Sequence, residues 1–283
     1  METIQIAEQP VPALTYKSDE LDRIISILRH CTEPEEIILF GSLAGATPFS
    51  QITAYDLFVV TGNRPSKDWL QISSFLKLEF PTRSRAIPFV NFYICPPPEI
   101  SGNNMGALYR FVRSEGKAVY SRRTFKNRDC DYEKIYFAAN DLYEHYFNQA
   151  EGLLESASNG IGVFDLRQGA FCLAYAVELM LRALHAAFHI SDTDLHLLSQ
   201  LFLRLRTLST ELYILLDPER AGVSRMLGRL EGYRSVTLYS PNSPMDRDEI
   251  EEYYTRTHKM QEIIEKLCTA RLELYKSRIT PTA

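Results

Sequence analysis

The sequence predicts an α+β chain, with a mixed sheet and its helices in the N-terminal part and an all-α antiparallel helical bundle in the C-terminal part. Up to about residue 125, short apolar runs alternate with helical stretches, the pattern of strands and helices that share one sheet. Beyond residue 131 the strand signals nearly vanish. Long segments with apolar residues at helical spacing take over, which is the pattern of a bundle. The division predicts two domains, residues 1–125 and 126–283.

The elements follow in order. "SDELDRIISILRH" places Leu21, Ile24, Ile25 and Leu28 on one helical face behind Ser18 and Asp19, both good N-cap residues, so a helix should cover the sheet. "EEIILF" and "YDLFVV" are apolar enough for buried strands. A helix follows around "SKDWLQISSFLKLEF", then a strand in "AIPFVNFYIC", a helix near "NMGALYRFVRS" and a short strand at "KAVYS". In the second half the periodic segments run from about 131 to 157, 165 to 190, 194 to 215, 218 to 233 and 248 to 276. Between them, "SASNGIG" separates the first pair, "SDTD" offers caps for the third, "LDPER" starts the fourth, and "SPNSPMDRDE" supplies proline and acids before the last. Phe171, Leu173, Val177, Leu181 and Leu184 form one stripe that should face the bundle core.

Composition narrows the function classes. The longest apolar run, "AFCLAYAVELMLRALHAAFHI", is interrupted by Glu178, Arg182 and His185, which argues against a membrane span, and the N-terminus lacks a basic-then-apolar leader. The five cysteines are scattered without a C-x-x-C pair, so reduced thiols and a cytoplasmic location are expected. A net charge of −5 excludes wholesale coating of nucleic acid but leaves room for a local basic site. The stretch from Arg110 to Arg128 is such a site, either a solvated connector or a phosphate-facing patch.

One acid stands out. Asp56 lies inside an otherwise apolar strand, where a carboxylate is costly unless it holds a metal, a ligand or a partner. Just upstream, Gly41 and Ser42 form a turn directly after a strand, and such a turn presents backbone N–H groups and a hydroxyl to a phosphate. A carboxylate facing that turn could hold Mg²⁺ against a triphosphate.

Through "IILFGS" (residues 37–42) and "AYDLFVV" (residues 54–60), the first half resembles the minimal nucleotidyltransferase family of the polymerase-β-like superfamily. The resemblance implies Asp56 as the catalytic acid and metal ligand, Gly41 and Ser42 at the phosphates, and Mg²⁺ with an NTP as cofactors. The family carries two aspartates one residue apart and a third acid on a later strand. Here Ala54 holds the first place, and "RAIPFVNFYIC" has no acid, with Asn91 and Tyr93 near its middle. An active site would need an acid from elsewhere, such as Glu79 or Glu99. The alternative is that Asp56 is a hydrogen-bonded strut.

The second half resembles the HEPN domain, a helical bundle found beside minimal nucleotidyltransferases, through Ala170-Phe171, "AVELMLRALH", "TDLHLL" and "GYRSVTLY". Active members are metal-independent RNases with an arginine and a histidine a few residues apart. Arg234 has no histidine at that spacing, while Arg182 and His189 have it on a different helix. Together the resemblances imply a fusion with eroded motifs that binds nucleotide or RNA in a regulatory, toxin–antitoxin-like or defence role, as a homo-dimer through the helical domain. An active Mg²⁺-dependent nucleotidyltransferase and a helical interaction protein without a nucleotide site are the alternatives.

Overall fold

The computed structural model describes residues 18–45, 54–62, 69–79, 89–95, 104–122, 130–216, 223–239 and 245–279. The first half runs α1 (Ser18–Thr32), β1 (Pro34–Phe40), a 3-10 turn (Ser42–Ala44), β2 (Ala54–Thr61), α2 (Trp69–Glu79), β3 (Phe89–Cys95), α3 (Asn104–Glu115) and β4 (Lys117–Ser121). The strands form one mixed sheet in the order β3-β2-β1-β4, with β2 and β3 parallel and the other pairs antiparallel. Parallel neighbours need a crossover, and α2 lies between them in the chain.

Every residue of β2 is buried, because the sheet is covered on both faces. Leu57 and Val59 point with Ile37, Leu39 and Phe92 toward Leu21, Ile24 and Leu28 of α1 and Ile72 and Leu76 of α2. Their neighbours in the alternation, Phe58 and Val60, join Ile38, Phe40 and Tyr93 on the other face, where α3 and the helical half pack. One apolar cluster thus runs from the sheet into the bundle. Side contacts knit the same seam: Phe111 meets Tyr275 edge-on at 5.7 Å, Arg278 pairs with Glu115 at 2.7 Å, and the Tyr132 hydroxyl donates to Glu115 at 2.9 Å.

The helical half contains α4 (Tyr132–Gly162), α5 (Leu166–His189), α6 (Leu198–Leu205), α7 (Thr210–Leu215), α8 (Val223–Tyr239) and α9 (Arg247–Ser277), and no strand among the described residues. Helix α5 is its axis. Leu173, Val177, Leu181 and Leu184 are fully buried as expected, and Phe171 is half-buried against the cluster. This helix is long and apolar enough to cross a membrane, but 83% of that window is buried inside the protein, so its apolar surface is used within the fold.

Three expected breaks fall differently. The "SASNGIG" stretch remains helical through Gly162, and the chain turns at Val163–Asp165 instead. Gly160 serves packing there: a Cβ on it would lie 2.7 Å from the backbone nitrogen of Gly169 on α5, so only glycine permits so close an approach. The third segment is two helices, with Ser209 capping α7 by accepting from the Leu212 N–H. "SDTD" caps neither, since α6 begins only after Leu197 and has no side-chain cap. The "DPER" part of "LDPER" lies outside the described residues, as do Arg123, Lys126 and Arg128 of the basic stretch. Within that stretch, Arg113 turns inward to pair with the buried Glu36.

Candidate functional site

Asp56 is fully buried and lies opposite Phe40, the last strand residue before Gly41. The register therefore brings the strand aspartate beside the start of the turn. Gly41 has φ 73°, a left-handed value that favours glycine, and Ser42 opens the 3-10 turn with its side chain exposed. The carboxylate itself is engaged sideways. Asn91, its neighbour on parallel β3, donates one amide hydrogen to Asp56 Oδ1 at 2.8 Å and the other to Thr207 Oγ1 at 2.7 Å. Thr207 is buried in the turn between α6 and α7. Asp56, Asn91 and Thr207 thus form a polar link between the sheet and the helical half.

No group of three or more histidines, cysteines, aspartates or glutamates suited to a metal occurs among the described residues. Glu79, one of the acids that might have completed the set, is on the surface 2.9 Å from Arg23. Glu99 lies outside the described residues. Hard divalent cations favour several oxygen ligands, and Asp56 with Ser42 supplies one carboxylate and one hydroxyl.

Beside this link a cleft of about 500 Å³ opens between β3 and the end of α5, lined in part by Tyr93, His185, His189, Thr193, Asp194 and Arg204. Its floor is aromatic. His185 and His189 stack with ring centroids 4.2 Å apart, and Tyr93 lies 4.8 Å from His189. His185 Nδ1 is 3.0 Å from the Ser191 carbonyl and His189 Nδ1 is 3.2 Å from the His185 carbonyl, so each ring donates from Nδ1. Burial, and then the Arg204 charge, pushes His185 down to about 3; burial, then His185 and Arg204, drives His189 the same way. Burial, and then the Asp56 charge, pushes the Tyr93 phenol up.

These histidines are neutral at physiological pH and set a pH dependence. A histidine depressed in the folded state binds more protons unfolded, so its contribution is complete above about pH 6.5 and is lost as pH falls toward the folded value. We expect unfolding free energy from urea melts to drop between pH 7 and pH 5 by up to about 1.4 kcal/mol per pH unit for each histidine. His185→Asn should remove about half of that slope; a slope unchanged in the variant would contradict the assignment.

The bundle holds a second polar centre. Glu178 on α5 is buried and accepts from Arg182 Nε at 3.1 Å, one helical turn on. Arg234 of α8 reaches the same carboxylate, Nη1 to Oε2 at 2.9 Å, and donates to the His196 carbonyl at 2.8 Å. Arg182 also serves Asp192, the Thr193 and Leu195 carbonyls and His196 Nδ1. The sequence pairing of Arg182 with His189 does not form: Arg182 faces Glu178 and the loop after α5, while His189 faces Tyr93. The arginine expected to lack a histidine, Arg234, instead lies against His196, supplied by the loop before α6.

Sequence reasoning identified Asn91 and Tyr93 as the polar positions of β3 and Glu178 and Arg182 as charges inside an apolar helix. It missed Thr207, Arg204 and Arg206. Their only signal is "LRLRTLS", arginines two apart at a helix end, which the helical period alone reads as surface.

The family model of the HEPN domain matches residues 143–267. Among solved structures, the chain is similar to a crystal structure of TT1696 from Thermus thermophilus, with 23% sequence identity over 44% of this chain and 97% of that one, at a TM-score of 0.35. No curated protein matches the sequence. Residues 143–267, from within α4 to within α9, are a HEPN domain.

Proposed function

We propose that the chain joins a nucleotidyltransferase-like sheet to its HEPN domain and acts by binding nucleotide or RNA in a regulatory role, without transferring a nucleotidyl group. One observation carries the reading: Asp56, the acid the resemblance would make catalytic, is buried and hydrogen-bonded to Asn91, which in turn is tied to Thr207 of the helical half. A metal ligand needs an open carboxylate with further hard ligands around it. The Glu178 centre supports the same view for the HEPN side, because Arg182 and Arg234 are occupied by carboxylate and carbonyl oxygens. If Gly41, Ser42 and Asp56 form a functional site after all, Mg²⁺ and an NTP would meet there.

Calorimetric titration of the full chain with ATP and with a single-stranded RNA oligomer, each with and without Mg²⁺, tests the proposal. The expected result is binding of at least one of them with an affinity that does not depend on Mg²⁺. Binding of ATP only in the presence of Mg²⁺, accompanied by transfer of labelled NMP, would overturn it.

A further inference from the structure

Three arginines that leave water inside this protein have carboxylate partners, Glu36 for Arg113 and Glu178 for Arg182 and Arg234, and buried Arg271 donates from Nε to the Tyr275 hydroxyl. Arg204 and Arg206 differ. Both are half-buried at the end of α6, both have a buried Nε without a hydrogen-bond partner, and neither forms an ion pair with a described residue. What they have is aromatic surface: Arg204 lies 5.8 Å from the Tyr93 ring centroid and Arg206 lies 4.5 Å from that of Phe89. Burial lowers the pKa of each, so both guanidiniums carry a desolvation cost. A partly dehydrated guanidinium without a counter-charge is a receptor for a planar or tetrahedral oxyanion.

Their surroundings specify more. Arg204 forms one wall of the 500 Å³ cleft, and with Arg206, Ser73 and Asn91 it also lines a small hollow that continues along β3. The cleft volume is in the range that takes a mononucleotide. Its floor of Tyr93, His185 and His189 is uncharged and aromatic, suited to a base. Asp192 at the rim is paired to Arg182, whereas the exposed Asp194 is within electrostatic reach of Arg204 but forms no ion pair with a described residue and can accept hydrogen bonds from ribose hydroxyls.

We propose that this cleft between β3 and the ends of α5 and α6 binds a nucleoside phosphate, with Arg204 on the phosphoryl group, Arg206 beside it and Asp194 on the ribose. The site is separate from the Gly41-Ser42 turn and needs no divalent metal. It rests on the reading of the chain as a nucleotide-binding protein and gives that reading a location.

The test is calorimetry on the full chain in a metal-free buffer, titrating AMP, ATP, adenosine and inorganic phosphate into the wild type, Arg204→Gln, Arg206→Gln and Asp194→Asn. AMP or ATP should bind the wild type more tightly than inorganic phosphate or adenosine. Arg204→Gln should weaken that binding by about tenfold or more, the loss of a charge-assisted contact. Asp194→Asn, an exposed change that leaves the fold intact, should bring the AMP affinity toward that of phosphate and keeps the proposal testable if Arg204→Gln is unstable. Wild-type protein that binds neither nucleotide, or binds phosphate as tightly as AMP, would overturn the site. ATP binding untouched in both Arg204→Gln and Asp194→Asn would overturn it while leaving nucleotide binding elsewhere in place; RNA binding without nucleotide binding would overturn it and spare only the RNA arm of the functional reading.

Discussion

Glu178→Ala should destabilise the protein by about 3 kcal/mol in urea unfolding, the lower end of the cost of breaking a buried ion pair, because it takes one carboxylate from two arginines at once. Arg182 is buried and the Arg234 side chain only 20% exposed, so water cannot replace the lost charge for the first and replaces it poorly for the second. Arg182 keeps its carbonyl acceptors and Asp192, which sets the loss below the cost of a wholly unpaired charge. The surface pair Arg23–Glu79 is the internal control. Its side chains are 60% and 55% exposed, and Glu79→Gln should change stability by less than about 1 kcal/mol. Similar small losses in both variants would show that the Glu178 centre does not hold the bundle together.

Much of the architecture can be read from local pattern. The unbroken apolar character of β2 reflects a strand covered on both faces, and the stripe on α5 marks the axis of the bundle. The Glu178–Arg182 pair lies within reach of local pattern, because one helical turn separates the two residues. Its third member does not: Arg234 reaches Glu178 from α8, and no periodicity relates positions so far apart. The same limit hid the strut. Asn91 stood out as the polar residue in β3, yet its second acceptor, Thr207, is 116 positions away. Breaks were misplaced where a residue serves tertiary packing, as Gly160 does against Gly169, and where a capping serine inside an apolar run, Ser209, begins a new short helix after α6 has ended at Leu205.

Asp56→Asn is the second change with a large expected effect, and it bears on the central claim that the strand aspartate joins two halves of the protein. Asn91 donates to Asp56 and to Thr207 with its two amide hydrogens, so the geometry of all three is set together. Asparagine is similar in size, but its amide group presents two donors where the carboxylate had an acceptor, in a place with no exposure to water. A buried donor that lacks an acceptor costs on the order of 1–3 kcal/mol. The loss should appear as a lower urea midpoint, and Thr207→Val, which removes the acceptor on the helical side, should lower it by a similar amount.

Purified wild-type and Asp56→Asn protein, compared side by side by urea unfolding and by ATP titration with and without Mg²⁺, is the most direct test. The account predicts a stability loss of about 1–3 kcal/mol with any ATP affinity unchanged by the substitution or by the metal. Unaltered stability together with the loss of Mg²⁺-dependent ATP binding would contradict it and make Asp56 a metal ligand.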